Sequence, residues 1–240
     1  MAGEQLLYNR PLPGARVNMS HPLSKGLVGC WLLNENGGIR AMDASPYQND
    51  GLLGGFADPP PRSFNGLKFD GSNDAIDCDS KASLYLGGDL TFEFWIKSDD
   101  LTVTSRVLGY GSDQSALGVS YNVGWGTGIR VNAWFQVGDA TSNELVGFAL
   151  DTWYHFAISR LGTLLSIYWN GQLFQTLTQA NAWSSSLQNT YIGKRNATGT
   201  EFWKGSIGLV RIYNNRVLSL DDVKALYLSP YKPLGIPMFL

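Results

Sequence analysis

Charge is scarce in this chain of 240 residues: Asp, Glu, Lys and Arg make up 16%, with Lys+Arg 18 against Asp+Glu 20 and a formal net charge of −2. No bulk positive field exists to hold a phosphate backbone, so nucleic acid is not an expected partner. Cysteine occurs only at Cys30 and Cys78, enough for one bridge and not for a disulfide framework; whether the two meet stays open. Histidine occurs only as His21 and His155, too little for a histidine-dependent triad or a zinc site. No apolar run reaches the roughly 18 residues of a spanning helix, so no membrane partner is expected. The segment Met1–Arg10 lacks a basic start followed by an apolar stretch. A secretory signal is therefore not read there, and the product is expected to stay where it is made.

What is abundant points to sheet. Gly 28, Pro 10 and 12% aromatic residues describe many turns with wide, flat side chains between them. From Gly26 onward, short apolar runs are cut by Gly, Asn and Asp at the spacing of a sandwich or barrel, with no composition break. In Leu90–Lys97, Phe92, Phe94 and Ile96 alternate with Thr91, Glu93 and Lys97, which predicts a strand with one face buried and the other half wet. Trp153–Ser159 repeats the pattern. The pair Asn170-Gly171, between Leu165–Trp169 and Gln172–Gln175, supplies the two positive-φ positions of a tight hairpin. Thr190–Gly193 and Ile207–Tyr213 read as further strands. One segment reads as helix: Ser219 can cap it with Asp222 three residues on, and Leu220, Val223, Leu226 and Tyr227 share a face.

Three regions follow. Residues 1–25, with Pro11, Pro13 and Pro22, read as an extended arm; residues 26–228 as one β-domain; residues 229–240, ending in Met238-Phe239-Leu240, as an extended apolar tail. That tail either meets a partner surface or folds back on its own domain.

The order of these pieces resembles the laminin-G-like branch of the concanavalin A-like jelly rolls. Gly26-Leu27-Val28-Gly29-Cys30-Trp31 opens the likeness, and Asp43-Ala44-Ser45-Pro46-Tyr47-Gln48-Asn49-Asp50-Gly51 forms its first polar loop. Leu67–Asp74, the strand at Leu90, Asp151–His155, the Tyr168–Gly171 hairpin, Gly205–Asn214 and the helix from Ser219 complete it. The resemblance implies an all-β, two-sheet antiparallel jelly-roll sandwich with one short C-terminal helix and extended terminal arms, of a kind that more often binds or holds than catalyses. The lead-in His21-Pro22-Leu23-Ser24-Lys25-Gly26-Leu27 also resembles that of such modules among tailed-phage structural genes.

Some relatives on this sandwich hydrolyse β-glucans with a Glu-x-Asp-x-x-Glu strand, a pattern this sequence does not contain; no enzyme is expected. Asp43 and Asn49 are the candidate side-chain ligands of a calcium ion, the one cofactor considered, or they simply shape an Asx turn. The resemblance places an acidic ligand of that site where this chain has Gly208. Trp125 and Trp183, in Gly- and Asn-bearing segments, are candidate platforms for a glycan ring. The expectation for function is a non-catalytic phage virion surface or capsid decoration protein, made in the host cytoplasm. It would dock through its termini on other virion proteins or on copies of itself as a homo-oligomer. On that expectation, deleting Pro230–Leu240 weakens assembly without unfolding the domain. The alternative is a carbohydrate-binding adhesin that recognises a cell-surface glycan.

Overall fold

The computed structural model of the chain describes residues 10–57, 62–63, 65–100, 102, 104–111, 115–121, 129–135, 139–179, 187–199 and 201–234. Sixteen strands and one α-helix are described: β1 (Leu27–Trp31), β2 (Arg40–Ala41), β3 (Gly51–Gly54), β4 (Arg62–Ser63), β5 (Gly66–Asp70), β6 (Ala75–Asp77), β7 (Leu90–Ser98), β8 (Leu108–Tyr110), β9 (Ser115–Tyr121), β10 (Ile129–Phe135), β11 (Asp139–Thr141), β12 (Trp153–Leu161), β13 (Leu164–Trp169), β14 (Gln172–Thr178), β15 (Thr190–Ile192), β16 (Lys204–Asn214) and α1 (Leu220–Leu228). They form two antiparallel sheets. The first has the order β14-β13-β12-β7-β16-β5-β4, with β1 also paired to β16; the second has the order β11-β10-β9-β8-β15-β6-β3-β2.

Between the sheets lies an apolar core drawn from alternate residues. Phe92, Phe94 and Ile96 of β7, Tyr154, Phe156 and Ile158 of β12, and Leu165 and Ile167 of β13 pack with Ile76, Leu108, Val131 and Ile192 of the second sheet. Phe94 and Phe156 are cross-strand partners with ring centroids 5.9 Å apart. Each such side chain stabilises the fold by about 1.5–3 kcal/mol through burial. On β16 a register shift between Ile207 and Leu209 resets the alternation. Ile207 faces this core, Leu209 the opposite side, and Val210 this core again.

The outward face of the first sheet differs from the expectation for β7. Thr91 and Glu93 are as buried as the phenylalanines beside them, and Trp95 is sealed too. A second apolar layer covers that face: Val17 and Leu23 of the arm, Val223 and Leu226 of α1, and Tyr231 and Leu234 of the tail. Trp95 stacks on Tyr227 of α1 with centroids 5.7 Å apart and planes at 8°. The alternation at β7 could not reveal this, because what lies over the sheet comes from distant parts of the chain.

Arm and tail meet each other on this layer. Val17 and Leu234 form an isolated antiparallel bridge, the Asn18 amide donates to the Pro233 carbonyl at 2.9 Å, and the Val17 amide donates to the Ala44 carbonyl at 2.9 Å. Of the two fates open to the tail, folding back is the one residues 229–234 adopt. Residues 235–240 lie outside the described residues. Helix α1 carries the full capping box, with the Ser219 hydroxyl accepting from the Asp222 amide and the Asp222 carboxylate accepting from the Ser219 amide. The β13–β14 turn has Asn170 at φ 49° and Gly171 at φ 76°. Glycine is needed twice over there, since a Cβ at position 171 would sit 2.8 Å from the Tyr227 ring.

Candidate functional site

The polar loop of residues 43–50 is built around one buried carboxylate. Asp43 Oδ1 accepts from the amides of Cys30 (2.8 Å) and Ser45 (2.9 Å), and Oδ2 accepts from the Ser45 hydroxyl (2.6 Å) and the Asn49 amide (2.9 Å). Burial raises the Asp43 carboxyl above its usual range, and the bonds from Ser45, Cys30 and Asn49 pull the other way without overcoming it. The Asn49 side chain donates to the Val28 carbonyl at 2.8 Å and accepts from the Ser83 hydroxyl at 2.9 Å. The indole of Trp31 donates to the Asn49 carbonyl at 2.9 Å. The structure thus brings Asp43 and Asn49 together, but as the knot of an Asx-type loop.

This donor set does not fit calcium. A carboxylate has about four lone-pair directions, and all those of Asp43 receive N–H or O–H donors that a cation would have to displace. At Gly208 a Cβ would lie 2.6 Å from the Asn65 carbonyl oxygen and 3.2 Å from the Trp153 ring, which leaves no room for the acidic ligand of the resemblance. Among the described residues, no three acidic, histidine or cysteine side chains gather to hold a metal ion.

A second cluster, missed in the sequence, lies sealed on the outward face of the first sheet. Arg211 Nη1 donates to Glu93 at 2.9 Å (Oε1) and 2.7 Å (Oε2), and its Nη2 donates to the Pro230 carbonyl of the tail. His155 Nε2 lies 3.2 Å from Glu93 Oε1. All three side chains have no exposed surface. Burial raises the Glu93 carboxyl, but the charge of Arg211 and the bond and charge of His155 hold it below its usual 4.5. Burial lowers Arg211, and the charge of Glu93 outweighs it, so the guanidinium stays charged. A substrate cannot reach these groups. The thiols are equally withdrawn: burial pushes Cys30 up to about 12 and Cys78 well above its usual 9.0, so both are inert thiols. They are free, with Cys30 in the outer layer and Cys78 in the inter-sheet core.

Trp125 and Trp183 lie outside the described residues. Residues near them are placed: Tyr121 pairs with Ile129 where β9 ends and β10 begins, whereas Thr190 pairs with Tyr110 beside the start of β9. Tyr47 and Tyr85 are exposed aromatic residues, at 52% and 44%. Tyr47 stands on the Asp43 loop between Pro46 and Gln48, both also exposed, and Gln48 adopts φ 52°. An open depression of about 370 Å³ between the arm and this loop is lined by Arg16, Val17, Ala44, Ser45, Pro46 and Gln48, and the Tyr47 ring does not line it. Arg16 spans from the arm to the loop, donating from Nη1 to the Asp43 carbonyl at 2.7 Å. Tyr47 is visible in the sequence as part of the polar loop, but its exposure is not.

Comparison with known proteins agrees with this architecture. Residues 70–224 match the Laminin_G_3 family, described as the Concanavalin A-like lectin/glucanases superfamily. The structure is similar to domain 4 of AbnA, a GH43 extracellular arabinanase from Geobacillus stearothermophilus, in complex with arabinotriose (TM-score 0.67, 17% identity, 84% of this chain and 98% of that one). It is also similar to a Trypanosoma rangeli sialidase in complex with sialic acid (TM-score 0.64, 21% identity), covering 97% of this chain and 37% of the sialidase. A third similar structure is the botulinum neurotoxin serotype D binding domain (TM-score 0.62, 15% identity, 84% and 51%). At these identities the likeness is one of fold, and the chain spans little more than a third of the sialidase. No curated protein sequence matches this one.

Proposed function

The chain belongs to the Laminin_G_3 family of the concanavalin A-like lectin/glucanases superfamily, and from that premise we propose that it is a non-catalytic domain that binds carbohydrate. The observation that carries this reading is the similarity along 98% of a domain whose structure is described in complex with arabinotriose. The fate of the ionisable groups supports the non-catalytic part. Glu93, His155 and Arg211 are sealed, and both oxygens of Asp43 are occupied within the loop. Glycoside hydrolysis needs two carboxyl groups flanking an accessible bond. The His21–Leu27 lead-in supports a virion surface as the setting, where such a domain would engage glycans of the cell it meets.

The test is retention of the full chain on a glycan array that includes arabino-oligosaccharides, sialosides and other cell-surface glycans, alongside a screen of chromogenic glycosides. Retention on at least one glycan class without turnover is expected. A folded protein retained by none of them overturns the reading, and turnover of any glycoside overturns its non-catalytic part.

A further inference from the structure

We infer that Asn36 is a site of spontaneous covalent modification, at which the side-chain amide is lost to leave an aspartyl or isoaspartyl acid, while the fold protects the Asn-Gly pairs at Asn65 and Asn170. The inference is independent of the carbohydrate reading and goes beyond it. Glycine follows asparagine at positions 36–37, 65–66 and 170–171. The reaction available to such a pair needs only water. The glycine backbone nitrogen, having lost its proton to hydroxide, attacks Cγ of the asparagine; a C–N bond forms, the bond to the amide nitrogen breaks, and that nitrogen leaves as ammonia. Water then adds to one of the two imide carbonyls and reopens the ring, so the chain continues either through its original backbone carbonyl or through the side-chain carboxyl. Closure requires a side chain free to turn, a next residue with nothing in the way, and a backbone not fixed by hydrogen bonds.

Asn36 meets all three conditions. It is exposed, as are Gly37, Gly38 and Ile39 after it. A Cβ built on Gly37 or on Gly38 would find no atom within 4 Å, so the space that the ring would occupy is open. Among the described residues none makes a hydrogen bond to Asn36 or Gly37.

The other two pairs fail for different reasons. Asn65 is only 1% exposed and Gly66 is buried with it, where a Cβ would sit 2.2 Å from the Ile207 carbonyl oxygen. Asn170 is held at both ends: its amide donates to the His155 carbonyl at 2.8 Å, and its Oδ1 accepts from the His155 amide at 3.0 Å. Its Gly171 is buried against the Tyr227 ring. Turning the Asn170 side chain onto the Gly171 nitrogen therefore requires the hairpin to open first.

The product changes one loop. Asn36 lies between β1 and β2, next to Glu35, whose Oε1 accepts from the Met42 amide at 2.7 Å, and two residues from Asn34, whose Nδ2 donates to the Pro11 carbonyl of the arm at 2.8 Å. One added carboxylate takes the formal net charge from −2 to −3, and the isoaspartyl form also lengthens the backbone by one atom. Residues 36–39 cover no part of the core, so the sandwich keeps its stability.

The experiment incubates the full chain at pH 8.5 and 37 °C, folded and in urea, and follows the mass gain of amide-to-acid conversion by tryptic mapping with an isoaspartyl methyltransferase as the probe for the isoaspartyl form. Cleavage after lysine and arginine places the three pairs on separate peptides, Gly26–Arg40, Ser63–Lys68 and Leu161–Lys194. In the folded chain Asn36 is expected to convert about tenfold or more faster than Asn65 and Asn170, which must wait for local opening. In urea the three rates are expected to converge. Asn36→Gln should abolish the conversion on the first peptide and Gly37→Ala should slow it severalfold, both with an unchanged melting temperature. Folded-state rates that are equal at the three pairs, or an Asn36 that stays an amide while urea releases all three, overturn the site. Rates that stay apart in urea overturn protection by the fold, and an aged chain with a lowered melting temperature overturns the confinement of the change to the loop.

Discussion

Both faces of the first sheet are buried at its central strands β7 and β16, and by opposite means. Its inward face packs phenylalanine and isoleucine against the second sheet, all apolar and all from alternating strands. Its outward face packs Trp95, Tyr213 and Leu209 against arm, helix and tail, and encloses the Glu93–Arg211–His155 cluster at its centre. The inward layer is stabilised by area and shape, so it tolerates hydrophobic exchange of similar volume. The outward layer depends on complete pairing of charges, where the loss of one partner costs more than the pair contributes.

Breaking that pairing gives the largest expected effect. Arg211→Met leaves Glu93 buried without its cation and is expected to lower unfolding free energy by about 3–5 kcal/mol in urea titration. Adding Glu93→Leu is expected to recover most of the loss, because two apolar groups need no compensation. A single mutant as stable as the parent, or a double mutant no better than the single, would show that the outer layer is held by packing alone.

A smaller effect tests whether the tail belongs to that layer. Leu234→Ala removes a buried side chain at the arm–tail bridge, and a loss of about 2–3 kcal/mol is expected by the same titration. Truncation after Ser229 should then destabilise the domain itself, since it removes Tyr231, Leu234 and the carbonyl that Arg211 uses. That outcome runs against the sequence-based expectation of weakened assembly with an intact fold. A truncated chain with unchanged melting temperature would restore the earlier view.

The smallest effect is in pH dependence. The folded state holds Glu93 below its usual 4.5, so the unfolded chain binds the proton more tightly. The contribution of Glu93 is fully present above about pH 4.5 and lost as pH falls through the lower folded value. Asp43 is shifted upward and acts with the opposite sign, which partly offsets the slope. Stability measured from pH 6 to pH 3 should fall less steeply for Glu93→Gln than for the parent; equal slopes would remove Glu93 from the acid response.

The same division explains what was legible in the sequence. Phe92, Phe94 and Ile96 declare the inner face because alternation is local, and Asn170-Gly171 and Ser219/Asp222 declare a turn and a cap by the conformations they favour. Glu93 looked like a wet residue because a charge in alternation ordinarily faces solvent. Its partner is 118 positions away. Asp43 and Asn49 were recognisable as oxygen donors, but whether their oxygens face a cation or amide hydrogens depends on the backbone around them.

The Val17–Leu234 bridge also has a mechanical consequence. A force applied at residues 10 and 234 is borne first by one bridge and a few flanking hydrogen bonds, which open one after another like a zipper. The paired strands beneath are not loaded until that clasp has parted. Tension would therefore release the arm and its Arg16 contact to the Asp43 loop before it unravels the sandwich.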